Sequence, residues 1–219
     1  VNKVELSVAG LHKQASRGIG AAATNPFAST VNNLNYARQI LVDNGSGTMD
    51  LQAVINTTAG AALRNLTHLT GVNTSGSDTL LRQGILLPLF GVDVRESAQV
   101  VDFTKGTGAA YAVDNIGGYA IGATTIHVDT GTGTFLPGDC ITFAGDTNIY
   151  VVKTGFAGDG DGDIVLQEPG LKKALANDVL VTFIATHSAN MVFRRGAIGL
   201  AIRPPAMGTD LATDSMLVT

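Results

Sequence analysis

From Leu51 the chain alternates, turns helical, and then alternates again. In LQAVINTT, Leu51, Ala53 and Ile55 fall on one face of a strand, and Val54 adds the β-branched character that strands favour. Ala62, Leu63, Leu66 and Leu69 then recur at helical spacing and form one apolar stripe. Thr57 or Thr58 is placed to cap that helix by accepting from a free N–H of its first turn. A leucine-rich segment, DTLLRQG, ends at Gly84 and reads as a short helix. The period then returns to two across LPLFGVDVRESAQVV, where Val92 and Val94 oppose Asp93 and Arg95. The predicted order over 51–101 is strand, helix, short helix, strand, with no chemistry in it.

Upstream, Ser29 or Thr30 caps a helix predicted from Val31 to about Asp43, with Val31, Leu34, Ala37 and Leu41 as its stripe and Asn44-Gly45 as its stop. In residues 1–28, Leu6, Val8 and Leu11 hint at a short helix or strand. SRGIGAAATNP then breaks any period and reads as a flexible loop. From Phe103 to Ala185 the helical period disappears. TTIHV, DCITF, IYVVK, DIVLQ and VLVTF are short alternating runs between Gly and Asp turns, the pattern of a small antiparallel barrel or sandwich. Leu136-Pro137-Gly138-Asp139 reads as a tight turn with Pro at its second position. After His187 the alternation resumes. Ile198, Leu200 and Ile202 share one face and Ala197, Gly199 and Ala201 the other, as in a central strand stopped by Pro204-Pro205. The tail from Met207 is rich in Asp and Thr and reads as loose.

This order resembles the major capsid (coat) proteins of tailed bacteriophages and prophages, which share the Hong Kong-phage capsid fold. In that family a strand ending in Asn leads into a helix with a Leu-Arg pair. The matching residues here are Val54-Ile55-Asn56 and Leu63-Arg64-Asn65. A short leucine-rich segment and a hydrophobic-Phe-Gly-Val-x-Val strand follow, here Leu80-Leu81-Arg82 and Leu89-Phe90-Gly91-Val92-Asp93-Val94. The family often ends on a strand resembling Phe193-Arg194-Arg195-Gly196-Ala197-Ile198-Gly199-Leu200-Ala201-Ile202-Arg203-Pro204. The resemblance runs over residues 27–101 and 187–205, and the order of the motifs carries it.

The resemblance implies an α+β fold: a capsid core of mixed sheet and flanking helices over residues 1–102 and 186–219, with a small β-barrel or sandwich inserted at 103–185. That placement is similar to the inserted β-domain of some short-tailed phage coat proteins. The family usually begins with an N-terminal arm, an extended loop and a long spine helix, and no segment here is long and periodic enough for that helix. The expectation is the later part of a coat protein, or a shortened relative. The implied function is self-assembly into an icosahedral head shell, with other coat subunits as partners, scaffolding and portal proteins beside them, and only non-specific contact with packaged DNA. The implied location is the virion, reached through the bacterial host cytoplasm.

Composition agrees with assembly. Charged residues make up 15% of the chain, against about 25% in ordinary globular domains, and Gly occurs 27 times. Such a chain is suited to burying surface against copies of itself. The net charge of −4 argues against a dedicated nucleic-acid binder, because no basic excess exists to displace counterions from phosphate. No apolar run reaches about 18 residues, so no membrane span is expected. The single cysteine, Cys140, rules out an intrachain disulfide framework and a four-cysteine zinc site.

The candidate chemistry is thin. Asp159, Asp161 and Asp163 alternate as in an EF-hand loop, but Ile164 stands where Gly is required and Gly170 where Glu is required. A hairpin tip is the expected setting, with weak calcium binding there left open. His12, His68, His127 and His187 are far apart in sequence and read as structural or exposed. Gly18-Ile19-Gly20 lacks the rest of a dinucleotide fingerprint. Ser46 between two glycines lacks the strand and helix of a nucleophile elbow. Cys140 reads as an inert buried thiol, and Arg194-Arg195 as an edge or interface pair. No catalytic residue, cofactor or metal is expected, and the chain is not expected to be an enzyme. The alternative is a β-domain binding module that uses the Asp-rich loop for calcium or carbohydrate.

Overall fold

A computed structural model of the chain describes residues 2–71, 73, 79–86, 88–100 and 102–201. It is a mixed α+β structure with several sheets, one of them a nearly closed barrel. Two apolar clusters form its cores. One draws its buried residues from Phe27 to Val94, the other from Tyr111 to Val181.

The first core is built by a crossover. Strands β2 (Leu51–Ile55) and β3 (Val92–Glu96) are parallel, with Leu51 opposite Val92 and Ile55 opposite Glu96. Parallel neighbours need a long connection over one face of the sheet. Its described helices are α3 (Thr57–Arg64), α4 (Thr67–Thr70) and α5 (Thr79–Gln83). The predicted stripe is therefore split between two helices, with Leu63 in α3 and Leu66 at the break, both buried. The cap is Asn56, not a threonine: its Oδ1 accepts from Ala59 N at 2.8 Å. The ion pair of Arg64 and Glu96 ties α3 to the end of β3, and Arg64 Nε also donates to Gly84 O at 3.0 Å. Gly60 makes room for this pair, since a Cβ there would lie 2.6 Å from Glu96 Oε2.

Helix α2 (Asn32–Asp43) covers the same core with Leu34. It ends as the Asn44-Gly45 pair requires. Gly45 N donates to Val42 O, Ser46 N donates to Leu41 O, and Gly45 sits at φ +86°. Its N-cap position is Val31, without a side-chain cap. The strand predicted from Leu87 begins only at Val92. Leu89 and Val92 bridge across Phe90 and Gly91, both at positive φ, which is a tight reversal.

Strand β12 (Met191–Arg194) lies antiparallel on the other edge of β2, with Met191 opposite Val54 and Arg194 opposite Leu51. It is shorter than expected. Arg195 N still reaches Asp50 O at 2.9 Å, but Asp50 has φ +58° and the chain turns away there. β12 runs out of partner, Arg195–Ala197 forms a 3₁₀ turn, and Leu200 is exposed. The expected continuation to Ile202, the Pro204-Pro205 stop and the tail from Met207 lie outside the described residues.

Strands β4 (Asp102–Phe103) and β11 (His187–Ser188) pair antiparallel, and everything between them leads into the barrel and out again. The barrel strands are β5 (Ala112–Val113), β6 (Thr125–Gly131), β7 (Cys140–Phe143), β8 (Ile149–Thr154), β9 (Gly160–Leu166) and β10 (Val181–Phe183). They run in the order β10-β7-β8-β9-β6-β5. The two ends meet through the Ala112–Leu180 bridge and bonds from Val113 N to Val179 O and Val181 N to Tyr111 O. Alternation fills the interior: Ile126, Val128, Ile141, Val152 and Ile164 are fully buried. The 136–139 turn is closed by Asp139 N to Leu136 O, with Gly138 at φ +100°. The buried Asp139 carboxylate also accepts from Gly106 N at 2.8 Å and Leu136 N at 2.7 Å.

Some of the glycine abundance is spent inside this barrel. Tyr111, Phe135, Phe156 and Phe183 form an aromatic cluster with centroids 4.6–5.6 Å apart. A Cβ at Gly131 would lie 2.2 Å from the Tyr111 ring, and one at Gly108 2.2 Å from Phe183.

The segment before α2 departs from expectation. After α1 (Asn2–Ala9) and a 3₁₀ turn (Gly10–Gln14), Arg17–Gly18 forms a two-residue strand, β1, on β8. Gly18 is not loop filler: a Cβ there would lie 2.8 Å from Ile149 Cγ2.

Two substitutions test these devices. Asn56→Ala removes the cap of α3 and should cost about 1 kcal/mol in urea unfolding, whereas Asn56→Asp keeps an acceptor and should stay close to the parent. Gly131→Ala pushes a methyl into the Tyr111 ring and should cost about 2 kcal/mol or more, read by the same method.

Candidate functional site

The Asp-rich stretch is not the hairpin tip that its sequence suggests. Only Asp159 lies in the β8–β9 connection, and its Oδ1 accepts from Gly133 N at 2.7 Å. Asp161 and Asp163 lie along β9, directed toward His127 on β6. His127 Nδ1 is 2.7 Å from Asp163 Oδ1, and its Nε2 is 4.0 Å from Asp161 Oδ2. The Asp163 hydrogen bond raises the His127 pKa above its ordinary value. Partial burial opposes it, and the charges of Asp163, Asp114 and Asp161 add to it. Among the described residues, no group of three or more His, Cys, Asp or Glu side chains is placed to hold a metal ion.

A second cluster was invisible in the sequence. His12, Phe103, His187 and Cys140 come from four distant stretches and meet where β4 and β11 pair. The His12 and Phe103 rings are edge to face at 5.2 Å, and Phe103 and His187 are 6.1 Å apart. His187 Nε2 is 3.8 Å from Cys140 Sγ, and His187 Nδ1 donates to Ala185 O at 2.8 Å. His127 and His187, far from these groups in sequence, have them as neighbours in space: Asp163 for His127 and Cys140 for His187. The Cys140–His187 contact is not an activated pair. Burial, with the charge of Asp139 behind it, pushes the Cys140 thiol up to about 11, so it is protonated at neutral pH. Burial lowers the His12 pKa; its bond to Ala9 O opposes this, and Lys13 and His187 add to it.

His68 lies in α4. Arg194 is exposed, its guanidinium packed over Gly47. Tyr150 is fully buried and donates to Asp146 Oδ2 at 2.7 Å. Burial, then that bond, raises it to about 12. This network fastens the β7–β8 turn.

Two clefts accompany these groups. One, of about 250 Å³, lies between α2 and the start of β8 and is lined by Arg17, Tyr36, Gln39 and Asn148 among others. The other, of about 240 Å³, has apolar walls from Leu6, Ala9, Val100 and Phe103, with His12 and Lys13 among its polar members. Both are smaller than typical small-molecule pockets, which start at about 300 Å³. No described helix is long and apolar enough to cross a membrane.

No known protein family matches the chain, and no curated protein does. Among solved structures, a chain from Mycobacterium phage Che8 is similar, with a TM-score of 0.41 and 15% sequence identity over 88% of this chain. The present chain spans 58% of the length of that one.

The His127 arrangement sets a pH dependence. A histidine whose pKa is raised by folding stabilises the fold while protonated. That contribution is complete below the ordinary unfolded value of 6.5 and is lost as the pH rises through the raised folded value. Asp163→Asn should return the His127 titration toward 6.5, as followed by NMR of the ring protons.

Proposed function

We propose that this chain is a major capsid subunit of the Hong Kong-phage type, whose work is self-assembly into a head shell rather than catalysis. One observation carries the reading. The two stretches that resemble coat proteins, 27–101 and 187–205, are separated in sequence by the whole barrel. Part of each meets in one three-stranded sheet, β12-β2-β3. Residues carrying the likeness sit at its joints: Asn56 caps α3, Arg64 pairs with β3, and Phe90-Gly91 makes the reversal before β3. On this reading the residues from 103 to 185 are an inserted β-domain, carried on the β4–β11 pair.

Large apolar side chains on the crossover support the same reading. Leu81 is 66% exposed, Ile85 53% and Phe90 45%. A crossover with an apolar outer side has a use if neighbouring subunits cover it. The partners would be other coat subunits, with scaffolding and portal proteins during assembly.

The test is assembly itself. The full-length protein, with its scaffolding protein, should form rings or closed shells visible by negative-stain microscopy and as large particles in light scattering. A monodisperse monomer under those conditions overturns the reading. So does catalytic turnover that a single side-chain change abolishes.

A further inference from the structure

We propose that Asn44-Gly45, at the end of α2, is a self-modification site, and that the barrel controls its reactivity through Ser16.

The chemistry is intramolecular. A backbone nitrogen that follows an asparagine attacks the side-chain Cγ and closes a succinimide ring. Here the Gly45 N–Asn44 Cγ bond forms and the Cγ–Nδ2 bond breaks. Ammonia leaves with the proton that Gly45 N gives up. Water then opens the ring at either carbonyl, returns a hydrogen to the nitrogen, and leaves aspartate or isoaspartate at position 44. The net change converts an amide and water into a carboxylate and ammonium. A Cβ on the attacking residue hinders ring closure, so glycine favours it. Asn44-Gly45 is the only Asn-Gly pair in the sequence, and both residues are exposed. The Asp-Gly pairs at 159–160 and 161–162 compete poorly. A carboxylate is the weaker electrophile, and Gly160 and Gly162 are held in the β6–β9 ladder opposite Gly131 and Val128.

The fold restrains the reaction from two sides. Gly45 N, the attacking atom, donates to Val42 O at 2.9 Å, and Asn44 N donates to Ile40 O at 3.1 Å. These bonds belong to the last turn of a helix, which opens at low cost. The amide that reacts is held from outside the helix. Asn44 Nδ2 donates to Ser16 Oγ at 3.0 Å, across 28 positions of sequence. Ser16 is fixed in turn by the barrel. The next two residues are β1, with Arg17 opposite Tyr150 and Gly18 opposite Ile149 on β8. Gln167 Nε2 donates to Lys13 O at 2.8 Å on the other side of Ser16. When β1 stays on the barrel, the Asn44 side chain is tethered. When β1 lifts, the side chain is free to turn toward Gly45 N as the helix end frays.

The product acts where it forms. Aspartate adds a negative charge beside Asp43 at the C-terminus of α2, an end that already carries partial negative charge. Isoaspartate adds a backbone carbon between positions 44 and 45 and moves Gly45 N away from Val42 O. Either product loosens the end of the helix that covers the first core with Leu34.

The experiment follows conversion at Asn44 in the full chain by peptide mapping with mass spectrometry, at mildly alkaline pH, with and without urea. The native parent should convert more slowly than the parent in urea. Ser16→Ala, with an unchanged melting transition, should convert about threefold faster than the native parent, because one hydrogen bond is lost. Ser16→Thr keeps the hydroxyl and should match the parent. Gly18→Ala, which crowds β1 against Ile149 Cγ2, should also accelerate conversion without touching Ser16. Gln167→Ala, which removes the bond to Lys13 O, is the substitute should Gly18→Ala fail to fold. In urea all of these chains should convert at one rate. A native Ser16→Ala rate equal to the parent's overturns the inference. So does a Ser16→Ala difference that persists in urea, or a native chain whose Asn44 stays intact while other asparagines convert. Parental rates in Gly18→Ala or its substitute overturn the part assigned to the barrel.

Discussion

The structure depends on a pairing of two residues with two. Asp102–Phe103 lies against His187–Ser188, and the Ser188 hydroxyl bonds the Asp102 carboxylate across 86 positions of sequence. This contact lets the chain leave the β2–β3 unit, build a barrel, and return to deliver β12 to the free edge of β2. The β12–β2 ladder, with Asn190 Oδ1 accepting from Asn56 N, then holds Met191 opposite Val54. Closing so long a loop costs entropy that grows only slowly with length, and the barrel offsets it with its own buried core. The pairing is also shielded. Phe103 is packed by His12 and His187, and the Lys13 ammonium lies near the face of its ring.

Two different means hold the two cores. The barrel relies on close packing, with glycines at 108 and 131 where aromatic rings approach the backbone, and with a buried carboxylate, Asp139, that organises the turn beside it. The β2–β3 unit relies on a polar joint. Arg64 binds both Glu96 and the Gly84 carbonyl, so one side chain fixes the start of the crossover to its end. The pair is partly exposed, and its Coulomb energy is modest. Its larger role is geometric: it sets where α3 stops relative to β3.

Sequence and structure agree where the periodic signal was local. Ile126 and Val128, or Ile141 and Phe143, needed only their own alternation to be placed inside a barrel. The Asn44-Gly45 stop and the Leu136-Pro137-Gly138-Asp139 turn follow from backbone preferences that act over four residues. What was not legible depended on partners remote in sequence. Gly18 reads as loop filler until Ile149 is placed beside it. Asp161 and Asp163 read as a loop because nothing in their own stretch announces His127 on the next strand. The alternation after Arg194 was real, but a strand needs a neighbour, and β2 begins only at Leu51. The Asn56 cap was misplaced by one or two residues, because Thr57 and Thr58 have equal capping chemistry but already lie within the helix.

Groups that the fold brings together are not thereby activated. Cys140 beside His187 has the composition of a nucleophile and base, yet burial keeps the thiol protonated. His127 has a carboxylate partner, Asp163, on the neighbouring strand of the barrel. The two clefts described above are small, and beside the apolar one the His12 Nε2 has no partner among the described residues. Apolar side chains meanwhile lie exposed on the crossover and on the β5–β6 connection. On the proposed assembly reading, neighbouring subunits would cover those side chains.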